Sequence, residues 1–126
     1  MGAFSISHRY GLVASIHKAA YVTAKHGLIG LTKVVALENA TNGITCNAIC
    51  PGWVLTPLVQ KQIDDRAAQS HVSAEVASSE ILHEKQPTGR FTSVEDIAEL
   101  ALFLCSTAAS NITGASFPID GGWTAQ

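Results

Sequence analysis

The sequence predicts an α/β fold, a parallel sheet covered by helices on both faces. Runs with strand-like patterning alternate with helical patterns in the order strand, helix, strand, two short helices, helix, strand. A hydrophobic fraction of 47% against a charged fraction of 14% describes a chain that buries much of its apolar surface. Only about three strands are visible, few for such a sheet. Its edge would be long and apolar unless something covers it. The 126 residues therefore read as part of a larger α/β domain.

Residues 3 to 7 read as a short strand, with Phe4 and Ile6 alternating with Ser5 and Ser7. A loop through Gly11 and Ser15 leads to a helix from about Ala19 to Ala40. Its predicted apolar face is Ala20, Ala24, Leu28, Leu31 and Val35. Gly27 and Gly30 inside it each cost ~1 kcal/mol relative to alanine; close packing against another helix or a second chain is the usual reason to keep them. Asn42-Gly43 ends the helix. Ile44 to Cys50 is a strand, stopped by Pro51-Gly52. Trp53 to Thr56 is the loop at its carboxyl end, the edge where open α/β sheets bind ligands. Leu58 to Gln69 and Val72 to Lys85 are weakly amphipathic helices, readable as an inserted flap or as ordinary surface helices. Pro87 to Thr92 is a turn. Ser93 with Asp96 forms a capping box, with Asp in place of the usual Glu, and opens a helix carrying Ile97, Leu100, Ala101 and Leu104 on one face. A polar loop from Thr107 to Thr113, a strand from Ala115 to Ile119 and the turn Asp120-Gly121-Gly122 complete the pattern, with Trp123 close behind.

A net charge of −2 gives no attraction to nucleic acid or anionic membrane. No apolar run reaches the roughly 18 residues of a membrane helix, and the first residues lack the features of a signal peptide. A cytoplasmic location is expected. Cys46, Cys50 and Cys105 are an odd number in no secreted framework, and their spacing is not that of a zinc site. All three are expected to be buried, reduced thiols, with no metal bound. The absence of a G-x-S-x-G elbow argues against an acyl hydrolase.

Tyr21 and Lys25 stand four residues apart near the start of the long helix and so point the same way. An ammonium beside a phenol favours the phenolate and draws its pKa down toward neutrality. Such a phenol can give or take a proton in general acid–base work. The same spacing also describes a surface pair on any ordinary helix.

Four stretches together resemble the short-chain dehydrogenase/reductase family: Tyr21-x-x-x-Lys25, Asn47-Ala48-x-x-Pro51-Gly52, Gly89-Arg90 before the capped helix, and Thr113-Gly114 through Asp120-Gly121-Gly122. The resemblance covers nearly all of residues 10 to 126. It implies the C-terminal half of a Rossmann-like doubly wound parallel sheet. Residues 1–126 would form one partial domain with a helical substrate flap at 57–86, and the N-terminal dinucleotide-binding half would be missing. Tyr21 would exchange a proton with the substrate oxygen. Lys25 would lower the tyrosine pKa and, with Tyr21, contact the nicotinamide ribose. Pro51, Gly52, Val54 and Thr56 would line the nicotinamide pocket of NAD.

Within the family, the D-3-hydroxybutyrate dehydrogenases are the group most similar. Lys18 and Gln62 match their substrate-carboxylate partners, and Trp53 matches the tryptophan that packs on the acyl chain. The implied reaction is the NAD-linked interconversion of (R)-3-hydroxybutyrate and acetoacetate. A small 3-oxo acid offers one carboxylate and one carbonyl, and the first needs a cation plus a donor.

Two departures stand out. None of the ten glycines forms G-x-x-x-G-x-G or G-x-G-x-x-G between a strand and a helix, so the phosphate loop of the family is absent from the chain. At the family's catalytic-serine position the chain has His8, with Ser7 one residue earlier as the candidate if the loop carries a one-residue shift. Tyr10 stands where the hydroxybutyrate enzymes often have a histidine. A truncated chain without activity of its own is therefore expected. The alternative to an enzyme is a non-catalytic module that associates, as a homo-oligomer, through the long helix and the last core helix.

Overall fold

The computed structural model describes residues 2–6 and 9–125, the first of these as backbone only. Strand β1 (Gly2–Ile6) is followed by a 3-10 turn at Arg9–Gly11, and helix α1 spans Ala19–Glu38. Strand β2 (Thr45–Pro51) leads to helices α2 (Pro57–Ser70), α3 (Ala74–Lys85) and α4 (Val94–Leu104). Strand β3 (Ser116–Ile119) precedes a last 3-10 turn at Trp123–Ala125. The three strands form one parallel sheet in the order β1-β2-β3, with Ala3 opposite Cys46 and Ile49 opposite Phe117.

As the middle strand, β2 is buried from Cys46 to Pro51, the near-continuous apolar run that parallel sheets require. Ile29 of α1 packs on Ala48 and Cys50, with Leu12 beside them. The polar exception is Asn47, fully buried. Its amide donates to the Ile112 carbonyl at 2.8 Å and accepts from the Ala115 N–H at 3.1 Å. The Cys46 N–H donates to Thr113 Oγ1 at 3.0 Å, and the Gly114 N–H to the Cys46 carbonyl at 2.7 Å. Asn47 and Thr113 thus bind the loop before β3 to the central strand. This gives the Asn47 and Thr113-Gly114 motifs a physical role.

The starts of α2, α3 and α4 are side-chain capped. Thr56 accepts from the Val59 N–H, with Pro57 in the first turn of α2, and Ser73 accepts from the Val76 N–H at the head of α3. Ser93 and Asp96 complete the predicted capping box. Helices α2 and α3 share a cluster of their own, Val59, Ile63, Ala77 and Ile81, with Trp53 and Phe91 packed against it.

Several expectations are corrected. The buried face of α1 is Ile29, Thr32 and Ala36, whereas Ala20, Ala24 and Leu31 of the predicted face are exposed. Thr32 is tolerated inside because its hydroxyl donates to the Leu28 carbonyl at 2.8 Å. Gly27 and Gly30 meet no neighbour within this chain, since a Cβ at either would touch nothing within 4 Å. Helix α1 ends at Glu38, and Gly43, with φ 68°, closes the 3-10 turn Ala40–Asn42 beyond it. Pro51 belongs to β2 as its last residue, opposite Ile119. Cys46 and Cys50 are buried, but Cys105, past the end of α4, is exposed.

Asn47→Ala removes the buried side chain that satisfies two backbone groups of the loop before β3. It should lower the unfolding free energy by about 2–4 kcal/mol, measured as a shift in the urea midpoint against the unsubstituted chain.

Candidate active site

The carboxyl end of β2, the head of α1 and the first turns of α2 converge on a cavity of about 780 Å³. The α1 end contributes Lys18 and Tyr21 to its wall; β2 and the loop after it contribute Pro51, Gly52, Trp53, Val54 and Thr56; α2 contributes Gln62. The sequence motifs, scattered over more than forty residues, thus meet in one place. Lys25 is not on this wall: it sits one turn further along α1, with Nζ 5.6 Å from the centre of the Tyr21 ring. Ser7 lies outside the described residues.

The end of β2 is held in place by Gln86, a fully buried side chain. Its Oε1 accepts from the Trp53 N–H at 2.9 Å, and its Nε2 donates to the Arg90 carbonyl. A Cβ on Gly52 would lie 2.7 Å from both Gln86 Oε1 and Asp120 Cα, so only glycine lets the strand end approach this closely. Thr92 continues the seam: its N–H donates to the Trp53 carbonyl at 2.8 Å and its hydroxyl to the Ile119 carbonyl at 2.8 Å. The Asp120 carboxylate is consumed by the turn after β3, accepting from the N–H groups of Gly122 and Thr124 and from the Thr124 hydroxyl.

Arg9 and Tyr10 also line the cavity. Arg9 is 1% exposed. Its guanidinium carbon lies 3.3 Å from the centre of the Trp123 ring, 4.5 Å from that of Tyr10 and 4.9 Å from that of Trp53, the stacking a planar, weakly hydrated cation favours. Tyr10 meets the rings of Tyr21 and Trp123 edge-on, each at 6.1 Å between centres. No sequence motif flags Arg9 or Trp123. The one available signal is a charged residue next to an aromatic one just before Gly11.

Electrostatics here depart from the simple Tyr–Lys expectation. Burial raises the Tyr21 phenol above its ordinary value; the cation opposing this is Arg9, and Tyr10 adds to the rise. Burial also pushes Tyr10 upward, but the hydrogen bond from Ser15, the charge and hydrogen bond of Arg9 and the charge of Lys18 together bring it below its ordinary value. Burial lowers the Arg9 guanidinium to about 10, against the pull of Tyr10, Tyr21 and Asp120. Cys50 is driven up to about 11, first by burial and then by Asp120, with Lys25 acting the other way.

The residues present fit one end of a dinucleotide. Pro51, Gly52 and Val54 offer a wall of small and apolar groups. The Thr56 hydroxyl accepts from the Val59 N–H at 3.3 Å and keeps its own hydrogen to donate. None of the ten glycines makes a phosphate loop for the other end.

A family model described as enoyl-(acyl carrier protein) reductase matches residues 4–124. The chain belongs to the short-chain dehydrogenase/reductase family. It is 53% identical over 122 residues to the D-beta-hydroxybutyrate dehydrogenase of Cupriavidus necator, and 53% identical to that of Rhizobium meliloti. In both cases the match covers 97% of this chain and 47% of the relative. Among solved structures, a short-chain dehydrogenase family protein from Francisella tularensis superposes with a TM-score of 0.89 at 33% identity, covering 99% of this chain and 51% of that one. An actinorhodin polyketide ketoreductase with NADPH gives a TM-score of 0.87 at 33% identity, and a 4-hydroxyisoleucine dehydrogenase complexed with NADH gives 0.75 at 34%. Each is matched over 99% of this chain and about half of its own, 48% and 47%. The chain spans about half the length of the curated relatives it matches. It shares the Rossmann-like parallel sheet of that oxidoreductase family. Among the described residues, no helix is long and apolar enough to cross a membrane.

The two tyrosines should ionise in separate steps when absorbance is followed on raising pH, Tyr10 before Tyr21. Tyr10→Phe should delete the earlier step. Their effects on stability have opposite signs. Tyr10 adds stability as pH climbs through its lowered value toward the ordinary one, and Tyr21 withdraws stability as pH climbs from the ordinary value through its raised one.

Proposed function

We propose that this chain supplies the proton-transfer and acid-binding part of a D-3-hydroxybutyrate dehydrogenase, acting in the NAD-linked interconversion of (R)-3-hydroxybutyrate and acetoacetate. The observation that carries this reading is the meeting of Lys18, Trp53, Gln62 and Tyr21 on the wall of one cavity. Two relatives at 53% identity, both D-beta-hydroxybutyrate dehydrogenases, support it. In this reading the Lys18 ammonium and the Gln62 amide take the substrate carboxylate, a charge-assisted pair with a fixed direction. Trp53 packs against the short acyl chain. Tyr21 then faces the carbonyl carbon's oxygen, giving it a proton in one direction and accepting the hydroxyl proton in the other. Ser7 is assigned the second contact to that oxygen.

Lys25, with Tyr21, Pro51, Gly52, Val54 and Thr56, would hold the nicotinamide end of NAD, which supplies the hydride chemistry when bound. The helices α2 and α3, together 57–86 with their connections, act as the substrate flap. The pyrophosphate end requires a glycine-rich loop from outside this chain's glycines. Three free thiols suit a reducing compartment such as the cytoplasm.

The purified chain, titrated with acetoacetate and followed by tryptophan fluorescence, should show saturable binding. Lys18→Ala should weaken acetoacetate by roughly tenfold or more, the worth of a hydrogen bond to a charged group, and leave a neutral ketone such as butanone unaffected. Equal losses for the two ligands would sink the carboxylate assignment.

A second reading, an association module, is favoured by one observation. Helix α1 presents Leu31, Val34 and Leu37 to solvent at 56%, 48% and 80% exposure, and α4 presents Leu102 and Phe103 at 66% and 45%. Apolar side chains grouped like this mark an interaction surface, and the bare Gly27 and Gly30 on α1 would admit a second helix at close range. Homo-oligomerisation through these two helices is compatible with catalysis as well as with a purely structural role. Sedimentation equilibrium should show a dimer or larger species, and Val34→Asp should shift it to monomer; a monomeric unsubstituted chain at high concentration would rule the surface out.

A further inference from the structure

Two large apolar side chains on the cavity wall have no part in the reading above, Leu58 of α2 and Ile97 of α4. Leu58 stands four residues before Gln62 and so shares its helix face. Val59, one position on, is spent on the cluster that α2 makes with α3. Leu58 therefore borders the cavity and is still 69% exposed. Ile97 comes to the same cavity from a different helix and is half-buried there. Neither side chain offers charge or a hydrogen bond. Their contribution is apolar surface, and a ligand gains by covering it. The cavity, at about 780 Å³, is in the range that encloses ligands far larger than a four-carbon acid.

We infer that the cavity accepts 3-hydroxy and 3-oxo acids with longer alkyl chains, about six to eight carbons in all, whose tail runs on past Trp53 over Leu58 and Ile97. This rests on the acid-binding reading, which seats the carboxylate at Lys18 and Gln62 and the reacting oxygen at Tyr21. The alkyl end is then the part of the ligand free to lengthen. Growth toward the aromatic cluster is closed. The Arg9 guanidinium lies 4.9 Å from the centre of the Trp53 ring, and the Trp123 ring lies 6.0 Å from it. Pro51, Gly52, Val54 and Thr56 are taken by the nicotinamide end in the same reading. The wall left over is that of Leu58 and Ile97. Because Leu58 is open to solvent on its outer side, no wall there sets a fixed length. The tail would be covered on one side only, so each added CH2 gains about half of what full burial gives.

The test titrates the purified chain with (R)-3-hydroxybutyrate, (R)-3-hydroxyhexanoate and (R)-3-hydroxyoctanoate at one pH, followed by tryptophan fluorescence. Affinity should rise with length, about twofold for each added CH2, where full burial would give about fourfold. Leu58→Ser and Ile97→Ser, made separately, should each flatten the series, lowering the ratio of eight-carbon to four-carbon affinity about threefold or more. Leu58 is mostly exposed, so its replacement leaves the packing between α2 and α3 in place. Lys18→Ala should weaken all three acids by the same factor, as one carboxylate seat for the whole series requires. A series that is flat or falls with length overturns the inference and leaves the acid-binding reading standing. So does a slope that survives both serine variants, or a long acid indifferent to Lys18→Ala, since either describes general adhesion to apolar surface. If none of the acids binds, the four-carbon one included, the acid-binding reading itself fails, and the longer chains with it.

Discussion

One amide side chain holds the site together. Gln86 lies at the end of α3, fully buried, and its two polar atoms reach the Trp53 N–H just past β2 and the turn that leads to α4. Gly52 and Gly121 are bare where they pass it: a Cβ on Gly121, at φ 61°, would lie 2.5 Å from the Gln86 Cγ. A buried amide cannot give up such bonds without leaving polar atoms unmatched, so the ends of β2, α3 and β3 have one arrangement relative to each other. Trp53 is fixed as a result, and with it the cavity wall on which Val54 and Thr56 follow. The apolar cluster between α2 and α3 packs on the same tryptophan, so these two helices inherit their position from this amide.

The centre of charge in the cavity has moved from where a Tyr–Lys pair alone would put it. Lys25 shares the helix face with Tyr21 and also acts on Cys50, and Arg9 is the cation that counters the effect of burial on Tyr21. A guanidinium so deeply enclosed is tolerable because three aromatic faces and the Tyr10 hydroxyl replace its water. Two phenols in edge contact are poised differently although Arg9 acts downward on both: burial keeps Tyr21 raised, while the Ser15 hydrogen bond, Arg9 and Lys18 bring Tyr10 below its ordinary value.

Periodicity and caps made most of the architecture legible: the strand–helix order, the capping box at Ser93 and Asp96 and the buried run of β2 all follow from local chemistry. The family resemblance grouped Tyr21, Lys18, Trp53 and Gln62 as one site, and the four line one cavity wall. Where the reading went astray, tertiary context decided. On α1 apolar residues occur all round the helix, so periodicity could not say which stripe faces the sheet. The buried face proved to include Thr32, whose hydroxyl is satisfied within the helix. Arg9 and Trp123 are more than a hundred residues apart and meet only because β3 returns beside β2; no local pattern encodes such a contact. The direction of the Tyr21 shift depends on burial, which a helical spacing does not report. Cys105 falls just past the end of α4, where an apolar count around it suggests burial but the chain has already turned outward.

The bonds of Asn47 have a consequence for the order of events during synthesis. Its amide is completed by the Ile112 carbonyl and the Ala115 N–H, 65 and 68 residues further along, and Arg9 finds its closest aromatic face in Trp123. Closing loops of this length costs entropy before any contact repays it. On a ribosome, β2 and α1 emerge long before the segment that satisfies them. The central strand must wait with an unmatched amide and an open apolar edge, a state in which other chains compete for it. The segment from Ile112 to Trp123 thus acts as a latch: until it leaves the exit tunnel, neither the sheet nor the enclosure around Arg9 can close, and the cavity has no lasting shape.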